Sequence, residues 1–284
     1  MFYHDGGKLQ YEVRVDTPNP VFAKALQQAI GGVQGEIRVC LQYLFQAFGA
    51  RGPVKYRDLL LETGTEEMGH IEMLATAVAL NLEGAPLEQD EAAKDPLVAA
   101  ALGGMNINHM IGTCMAAMPV DANGVPFDCS HVYASGNTAA DMLANASAES
   151  TGRMLAVQLF KMTDDAGMKD MLRFLIARDT QHQNQWMAAW EELGGRDNHP
   201  IPNNFPLSEE DEEFASTFFT FGKDDSVPSP DGMWSEGKSF GGNYEQKKAR
   251  MEPRGKKPDL GNASPRAAVQ KGQEGTMDKI LGAL

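Results

Sequence analysis

Residues 67–70 of the chain read EMGH and residues 179–182 read DTQH, and these two segments decide the fold. Each places a carboxylate three residues before a histidine, so both side chains project from the same helix face on adjacent turns. Both segments lie in long stretches whose apolar residues recur every three or four positions, a pattern typical of amphipathic helices. They therefore predict two helices whose buried faces each carry a carboxylate and an imidazole placed to bind a metal ion.

Four long helical patterns of this kind occur along the chain. They span about residues 19–50, 56–82, 139–162 and 167–193. Short joints inside each pair favour antiparallel neighbours, and one long crossover rich in Gly, Pro and Asn connects the two pairs. A single long crossover is typical of ferritin-like bundles. We therefore predict an all-α fold, a ferritin-like four-helix bundle over residues 1–202, with a short edge strand over residues 9–15 before the first helix.

The character of the sequence changes after about residue 203. Acidic residues come first, then Gly, Pro and charged residues with little periodicity, and residues 246–257 are locally basic. Composition alone favours a solvated tail. A basic arm could also bind the acidic surface of a neighbouring subunit. We therefore predict that residues 203–284 form an extended carboxy-terminal arm that packs on neighbouring subunits.

Several ionisable side chains fall on the helices where the pattern requires apolar residues. They are Glu36, Glu67, His70, Glu149, Asp179 and His182. An ionised carboxylate in an apolar core is very costly unless it is paired, coordinated or neutralised. No lysine or arginine is interleaved on these stripes, so bound cations are the simplest explanation, and two divalent ions would balance four carboxylates. By contrast, Glu66 and Glu72 fall off the apolar stripe of the second helix and are predicted to be exposed.

The order of these residues along the chain strengthens the prediction. Each helix pair supplies a lone glutamate followed by a carboxylate-x-x-His segment. Two lone glutamates and two such segments on facing helices form the ligand pattern of di-iron and di-manganese bundles. The sequence therefore predicts a dinuclear metal site, and oxygen and nitrogen ligands alone leave the choice between iron and manganese open.

Composition excludes several classes of function. The 284 residues carry a formal net charge of -14, which disfavours binding to nucleic acid or anionic membranes. The first residues lack the basic start and apolar run of an export signal, and no apolar stretch is long enough to span a bilayer. The three cysteines, Cys40, Cys114 and Cys129, form no CxxC pair. We predict a cytoplasmic protein without nucleic-acid or membrane partners.

Several segments of the chain resemble the non-haem manganese catalases. They are LLLETGTEEMGHIEM (59–73), SGNTAADM (135–142), FLIARDTQHQNQW (174–186), the opening MFYHDGGKLQYEVRV and the GGVQGE that ends at Glu36. The resemblance covers about residues 1–195. It implies an enzyme that disproportionates hydrogen peroxide to water and dioxygen with a pair of manganese ions. It also implies a homohexamer whose carboxy-terminal arms wrap around neighbouring subunits.

The resemblance further implies roles for individual residues. The implied metal ligands are Glu36, Glu67, His70, Glu149 and His182, with Glu36 and His70 on one ion and Glu149 and His182 on the other. Glu67 would bridge the two ions. Tyr43 matches a family tyrosine that hydrogen-bonds near the cluster, and we predict a catalytic role for it.

The chain departs from the family pattern at a few positions. Asp179 stands where many members carry a glutamate that acts as an outer-sphere acid or base, and we predict this role for the shorter aspartate. Ala148 stands where some members place an arginine, so the site is predicted either to be more open or to recruit another cation. Some members bind calcium near the second helix, and Asp58 and Glu62 are the possible remnants of that site here. The matching positions in the tail are weak, so calcium stays open and is not part of the prediction.

Two other functions compete with this interpretation. A di-iron oxidase or ferroxidase would use the same bundle and the same ligand types. A catalase-like protein of the spore coat, in which structure matters more than turnover, is the second alternative. The complete ligand set argues against the second alternative, whereas only the family resemblance argues against the first.

Overall fold

The computed structural model describes residues 6–83, 116–195, 206–222, 230–239 and 241–258. Its five long helices, numbered in chain order, are α1 Pro20–Gly31, α2 Glu36–Gly49, α3 Val54–Asn81, α4 Thr138–Met162 and α5 Ala166–Glu192. The chain forms two compact units, one with these helices and one with the short carboxy-terminal elements. Within the described ranges, no helix has the length and hydropathy needed to cross a membrane.

The helices pack in the pairs that the sequence predicted. α2 packs along α3, α4 packs along α5, and α1 contacts both α3 and α4. The observed bounds of α3, α4 and α5 lie within two residues of the predicted ones. Side chains cap the starts of two of them, since Asn137 accepts from the amide of Ala140 and Asp165 from the amide of Met168. The all-α prediction is confirmed, although residues 84–115 of the predicted crossover lie outside the described residues.

The first predicted helix, residues 19–50, is in fact two helices. α1 ends at Gly31 and α2 begins at Glu36. A Cβ on Gly31 would lie 2.5 Å from the backbone of Val120, so the returning crossover approaches too closely for any larger residue. The Gln27 amide fixes this approach by donating to the carbonyl of Met118 (2.7 Å) and accepting from its N–H (3.0 Å). The break places Glu36 in the first turn of α2, where free backbone N–H groups favour a negative charge.

Two apolar clusters fill the helical unit. The first joins α1 to the second half of α3 and the first half of α5, through side chains such as Leu26, Leu74 and Leu172. The second joins α2 to the first halves of α3 and α4 and the second half of α5, and Trp186 is at its centre. The predicted ligands on α3, α4 and α5 lie near the middle of each helix, between the part in the first cluster and the part in the second. Glu36 is the exception, because it begins α2.

The segment before α1 does not form the predicted edge strand. Residues 9–15 are extended but have no strand partner among the described residues. Tyr11 instead stacks on Phe174 with ring centroids 4.6 Å apart, and its hydroxyl donates to Asp170 (3.2 Å). The alternating pattern therefore reflects packing onto the helices rather than sheet formation.

The carboxy-terminal unit contains short regular elements that the sequence did not predict. They are α6 Glu212–Ala215, β1 Thr217–Thr220, β2 Gly237–Lys238 and β3 Glu245–Arg250. β3 lies between the other two strands, parallel to β1 and antiparallel to β2. Part of the basic segment 246–257 thus belongs to a small sheet. The packing of this region on neighbouring subunits stays a prediction.

A buried amide cluster fixes the end of the crossover to the bundle. Asn145 on α4 accepts hydrogen bonds from Gln42 (2.8 Å) and Gln46 (2.9 Å) on α2, and donates to Gln46 (2.7 Å). Gln46 also donates to the carbonyl of Tyr133 (2.9 Å), and Gln42 accepts from its N–H (3.2 Å). All three side chains are buried, so each depends on the others for its hydrogen bonds.

We expect Asn145→Ala to lower the free energy of unfolding by about 2–4 kcal/mol, because it leaves buried amides of Gln42 and Gln46 without partners. Urea unfolding of the metal-free protein measures the change. Ser147→Ala, an exposed substitution on the same helix, should stay within about 0.5 kcal/mol of the parent. Equal effects of the two substitutions would contradict a stabilising role for the cluster.

Candidate metal centre

The helices bring the predicted ligands together in one polar layer. Glu36, Glu67 and His70 form one group, and Glu67, Glu149 and His182 form a second. Within each group, one potential ligand atom from every residue lies within 4.8 Å of the others. Glu67 belongs to both groups, so its two oxygens face two neighbouring positions for a cation.

The spacing of the donor atoms suits metal ions. His70 Nδ1 lies 2.6 Å from Glu67 Oε2 and 3.9 Å from Glu36 Oε2. His182 Nδ1 lies 2.8 Å from Glu67 Oε1 and 3.6 Å from Glu149 Oε1. Adjacent ligands of a small octahedral cation, each at about 2.1 Å, are separated by about 3 Å. Both groups therefore match the geometry of a divalent cation between their donor atoms.

Atoms without hydrogen-bond partners support the same conclusion. Glu67 Oε1 and His182 Nδ1 are buried, and neither makes a hydrogen bond to any described residue although they are 2.8 Å apart. Buried polar atoms almost always have a partner. A cation between these two atoms would satisfy both of them, so the donor set fits a bound metal.

Burial concentrates negative charge in this layer. Glu67 is 1%, Glu149 3% and Asp179 5% exposed. Burial and the nearby Glu67 raise the pKa of Glu36 to about 7, and burial together with Glu36 and Glu67 raises the pKa of Asp179 to about 8. The pKa of Glu149 also rises well above its usual range, chiefly because of burial. The layer thus holds more acidic groups than the protein's own cations balance.

The pKa values of the two histidines are raised as well, which favours their charged form. Burial lowers the pKa of His182, but the adjacent carboxylates of Glu66 and Glu67 outweigh burial and raise it to about 10. Glu67 likewise raises the pKa of His70 well above its usual range against the effect of burial. Burial raises the pKa of Glu67, yet the two histidines bring it down to about 2. The carboxylates therefore favour positive charge next to the Nδ1 atoms, and a bound divalent cation would supply it.

Two aromatic side chains hold Glu149 in place. The Tyr43 hydroxyl donates a hydrogen bond to Glu149 Oε1, and Trp186 Nε1 lies 3.4 Å from the same oxygen. The two rings pack with centroids 4.8 Å apart. Burial and Glu149 raise the pKa of Tyr43 well above 10, so the phenol keeps the proton that it donates. A hydrogen bond near the cluster is what the family resemblance implied, while the catalytic role of Tyr43 stays a prediction.

Asp179 lies beside the ligand groups and belongs to neither of them. It lines a small cavity together with Glu36, Ala148, Glu149 and Gly152, and the remaining walls are mainly apolar. The small side chains of Ala148 and Gly152 leave space next to the Asp179 carboxylate. No lysine or arginine is among the described residues that line this cavity, so no other cation takes the place of the family arginine.

The two weak calcium candidates lie elsewhere. Asp58 and Glu62 are exposed on α3, and neither contributes to a ligand group in the described part of the chain. The structure gives no further support for a calcium ion at these positions.

The prediction for Glu66 was wrong. Its side chain is only 26% exposed and contacts the outer side of both histidines, with Oε1 3.5 Å from His70 Nε2 and Oε2 3.2 Å from His182 Nε2. Arg178 pairs with the same carboxylate, with 2.6 Å between its Nε and Oε1. The available signal was the four-residue spacing, because Glu66 precedes His70 and Arg178 precedes His182 by one helical turn.

The fold and the donor set together define the class of protein. A helical bundle with lone glutamates and carboxylate-x-x-His segments on facing helices is a ferritin-like carboxylate metalloprotein. A family model described as manganese containing catalase matches residues 1–278. The chain therefore belongs to the manganese-containing catalase family.

Individual relatives agree with this assignment. A manganese catalase of Bacillus subtilis is 46% identical over 266 residues, which cover 93% of this chain and 96% of the relative. A manganese catalase of Lactiplantibacillus plantarum is 38% identical over 82% of this chain and 87% of its own length. The crystal structure of a manganese catalase from Anabaena aligns with a TM-score of 0.69, at 23% identity over 88% of this chain and 99% of the other. That last likeness bears on the fold alone.

These findings confirm the predicted family, the ferritin-like fold and the assignment to an enzyme class. They also support manganese as the metal of the family. The individual ligand roles and the number of ions stay predictions.

We expect Glu67→Ala to weaken manganese binding more than any other single substitution, because Glu67 is shared by both ligand groups. The loss should exceed the roughly 10–100-fold that follows removal of a hydrogen-bond partner of a ligand. Thermal unfolding with and without Mn²⁺ measures the effect, since a bound ion raises the unfolding temperature. Glu72→Ala, exposed on the same helix, should respond to manganese like the parent. An undiminished response of Glu67→Ala would remove this residue from the ligand set.

Proposed function

We propose that the chain disproportionates hydrogen peroxide to water and dioxygen at two manganese ions held between α2, α3, α4 and α5. The observation that carries the proposal is the pair of ligand groups that share Glu67. Relatives named manganese catalase, 46% and 38% identical over most of the chain, support the choice of reaction and metal. Bound manganese would supply the two-electron oxidation and reduction that the reaction requires.

The protein's own residues would hold the ions and control access. Glu36 and His70 would bind one ion, Glu149 and His182 the other, and Glu67 both. Hydrogen bonds from Tyr43 and Trp186 fix the orientation of Glu149, which keeps the site in one geometry.

The cavity next to the ligands suits a small neutral substrate. Its walls are mainly apolar, and the carboxylates of Glu36, Glu149 and Asp179 line it towards the ligand groups. Peroxide needs proton transfer in each half of the reaction, and a carboxylate close to the reacting oxygens can provide it. Asp179 is buried, borders the cavity and lies outside both ligand groups, so we assign it this acid–base role.

Assembly and location are further parts of the proposal. The family resemblance implies a homohexamer, and exposed apolar side chains on α2, such as Phe45 (57%) and Phe48 (62%), suit an assembled state. The proposed arm, residues 203–284, would pack on neighbouring subunits. The cytoplasmic location predicted from the sequence is also part of the proposal.

The function is tested by oxygen release from hydrogen peroxide combined with metal analysis. We expect about two manganese ions per chain, one dioxygen per two peroxides, loss of activity after chelation, and recovery with Mn²⁺ but not Fe²⁺. Activity restored by iron alone would favour the di-iron oxidase. A folded protein that binds neither metal and releases no oxygen would favour the structural alternative.

We expect Asp179→Asn to reduce kcat by about 10²–10⁴-fold, because the amide cannot exchange a proton with peroxide. Manganese content, measured on the same preparation, should stay at the parental level. Glu191→Gln, exposed near the end of the same helix, serves as the matched control. If metal content falls together with activity, Asp179 is a ligand and the acid–base assignment is wrong.

A further inference from the structure

A carboxylate–guanidinium pair, Glu66 and Arg178, covers the outer side of the metal centre. We propose that Glu66 is a positioning residue that accepts the Nε2–H of both His70 and His182, and so directs Nδ1 of each ring towards the metal. The inference rests on the metal site proposed above and concerns a residue outside its ligand set.

The geometry of the two histidines carries this inference. The rings are almost parallel, with an interplanar angle of 25° and centroids 5.8 Å apart. Their Nδ1 atoms face Glu67, while their Nε2 atoms lie 3.5 and 3.2 Å from the two oxygens of Glu66. The Glu66 carboxylate is therefore placed to accept a hydrogen bond from each ring, with one oxygen for each Nε2–H.

The Nε2 atoms have no competing partner. Both are buried, and neither makes a hydrogen bond of good geometry to any described residue. Their contacts to Glu66 have hydrogen-bond distances but poor angles, so the inferred hydrogen bonds require the rings to align with the carboxylate. Such alignment is expected when a ligand binds, since hydrogen bonds at active sites tighten in the loaded state. A histidine that binds metal through one nitrogen commonly donates its other N–H to a carboxylate, which fixes the tautomer and the ring orientation.

Arg178 explains why Glu66 would accept hydrogen bonds from the histidines and not bind the metal itself. Its Nε donates to Glu66 Oε1 (2.6 Å) and its Nη2 to Oε2 (3.2 Å), so both oxygens are held in one plane. The guanidinium balances the charge of Glu66, whereas Glu67 has no arginine or lysine partner among the described residues. Glu66 accordingly appears in neither ligand group.

The backbone beneath Glu66 is also restrained. Gln10, in the extended segment before α1, donates its side-chain amide to the carbonyl of Glu66 (2.8 Å). The turn that carries Glu66 is therefore fixed from outside by Gln10 and from α5 by Arg178. This fixes the carboxylate relative to both rings before any metal binds.

The arrangement makes a specific prediction about the two metal positions. Each histidine serves one position, so loss of a partner of one ring would weaken one ion only. Loss of Glu66 should weaken both ions together, by the roughly 10–100-fold that follows removal of a carboxylate partner of a ligand histidine. A glutamine has one acceptor oxygen in place of two, so Glu66→Gln should retain part of the affinity that Glu66→Ala loses.

The experiment compares Glu66→Ala, Glu66→Gln and Arg178→Gln with two exposed controls, Glu72→Gln on α3 and Arg173→Gln on α5. Equilibrium dialysis of metal-free protein against Mn²⁺ gives both dissociation constants, and electron paramagnetic resonance of the loaded protein reports ligand geometry. We expect weaker binding at both positions and an altered spectrum for the Glu66 variants, a smaller effect for Arg178→Gln, and parental values for the controls. Thermal unfolding of the metal-free proteins checks that the variants fold.

The outcomes separate this inference from the proposed function. Manganese binding by Glu66→Ala that matches Glu72→Gln, with an unchanged spectrum, overturns the positioning role and leaves the catalase function intact. A parent protein that binds no manganese overturns both. If Glu66→Ala does not fold, Glu66→Gln and Arg178→Gln decide the question, and parental binding by both would overturn the inference.

Discussion

The burial of acidic side chains in the middle of a helical bundle is the constraint on which the rest of this structure depends. Glu67, Glu149 and Asp179 are almost inaccessible to solvent, with apolar clusters on either side. Ionised carboxylates in such surroundings need a counter-charge. The raised pKa values of Glu36, Glu149 and Asp179 and of both histidines show that the protein alone meets this need by holding protons. Divalent cations bound by the two ligand groups would meet it more completely, because Glu67 belongs to both groups.

Other features of the fold serve to keep this layer in place. The break between α1 and α2 brings Glu36 into the first turn of a helix, and the crossover packs closely against Gly31 at the end of α1. The amide cluster around Asn145 connects α2 to α4, the two helices that supply the lone glutamates. Tyr43 and Trp186 then orient one of those glutamates from within the second apolar cluster. Polar contacts in the interior are thus concentrated where the ligand-bearing helices meet.

The sequence predicted local features well and long-range contacts poorly. Helices α3, α4 and α5 and the burial of their ligands follow from periodicity alone, because each ligand occupies a position that an apolar residue would otherwise fill. The close approach of Val120 to Gly31 comes from almost ninety residues further along the chain, and no local pattern indicates it. Glu66 was assigned to an exposed face because its partners, Arg178 and His182, are on another helix. In the small carboxy-terminal sheet, β1 pairs with β3 across a segment of low periodicity. Sequence periodicity therefore did not predict these strands.

Neighbouring residues with the same side chain show how position determines chemistry in this site. Glu66 and Glu67 are consecutive in α3, yet Glu66 faces Arg178 and the Nε2 atoms of the histidines, while Glu67 faces their Nδ1 atoms. Arg178 balances the charge of Glu66, which can therefore orient the two rings, whereas Glu67 has no such partner among the described residues and would be balanced by a metal ion.

The positions at which the chain departs from the family pattern are also consistent with a metal as the main source of positive charge. Asp179 is shorter than the family glutamate, and Ala148 and Gly152 are small, so the inner side of the layer opens on a cavity without lysine or arginine in its described lining. A neutral peroxide would need no fixed cation in this cavity, because bound manganese would supply the positive charge.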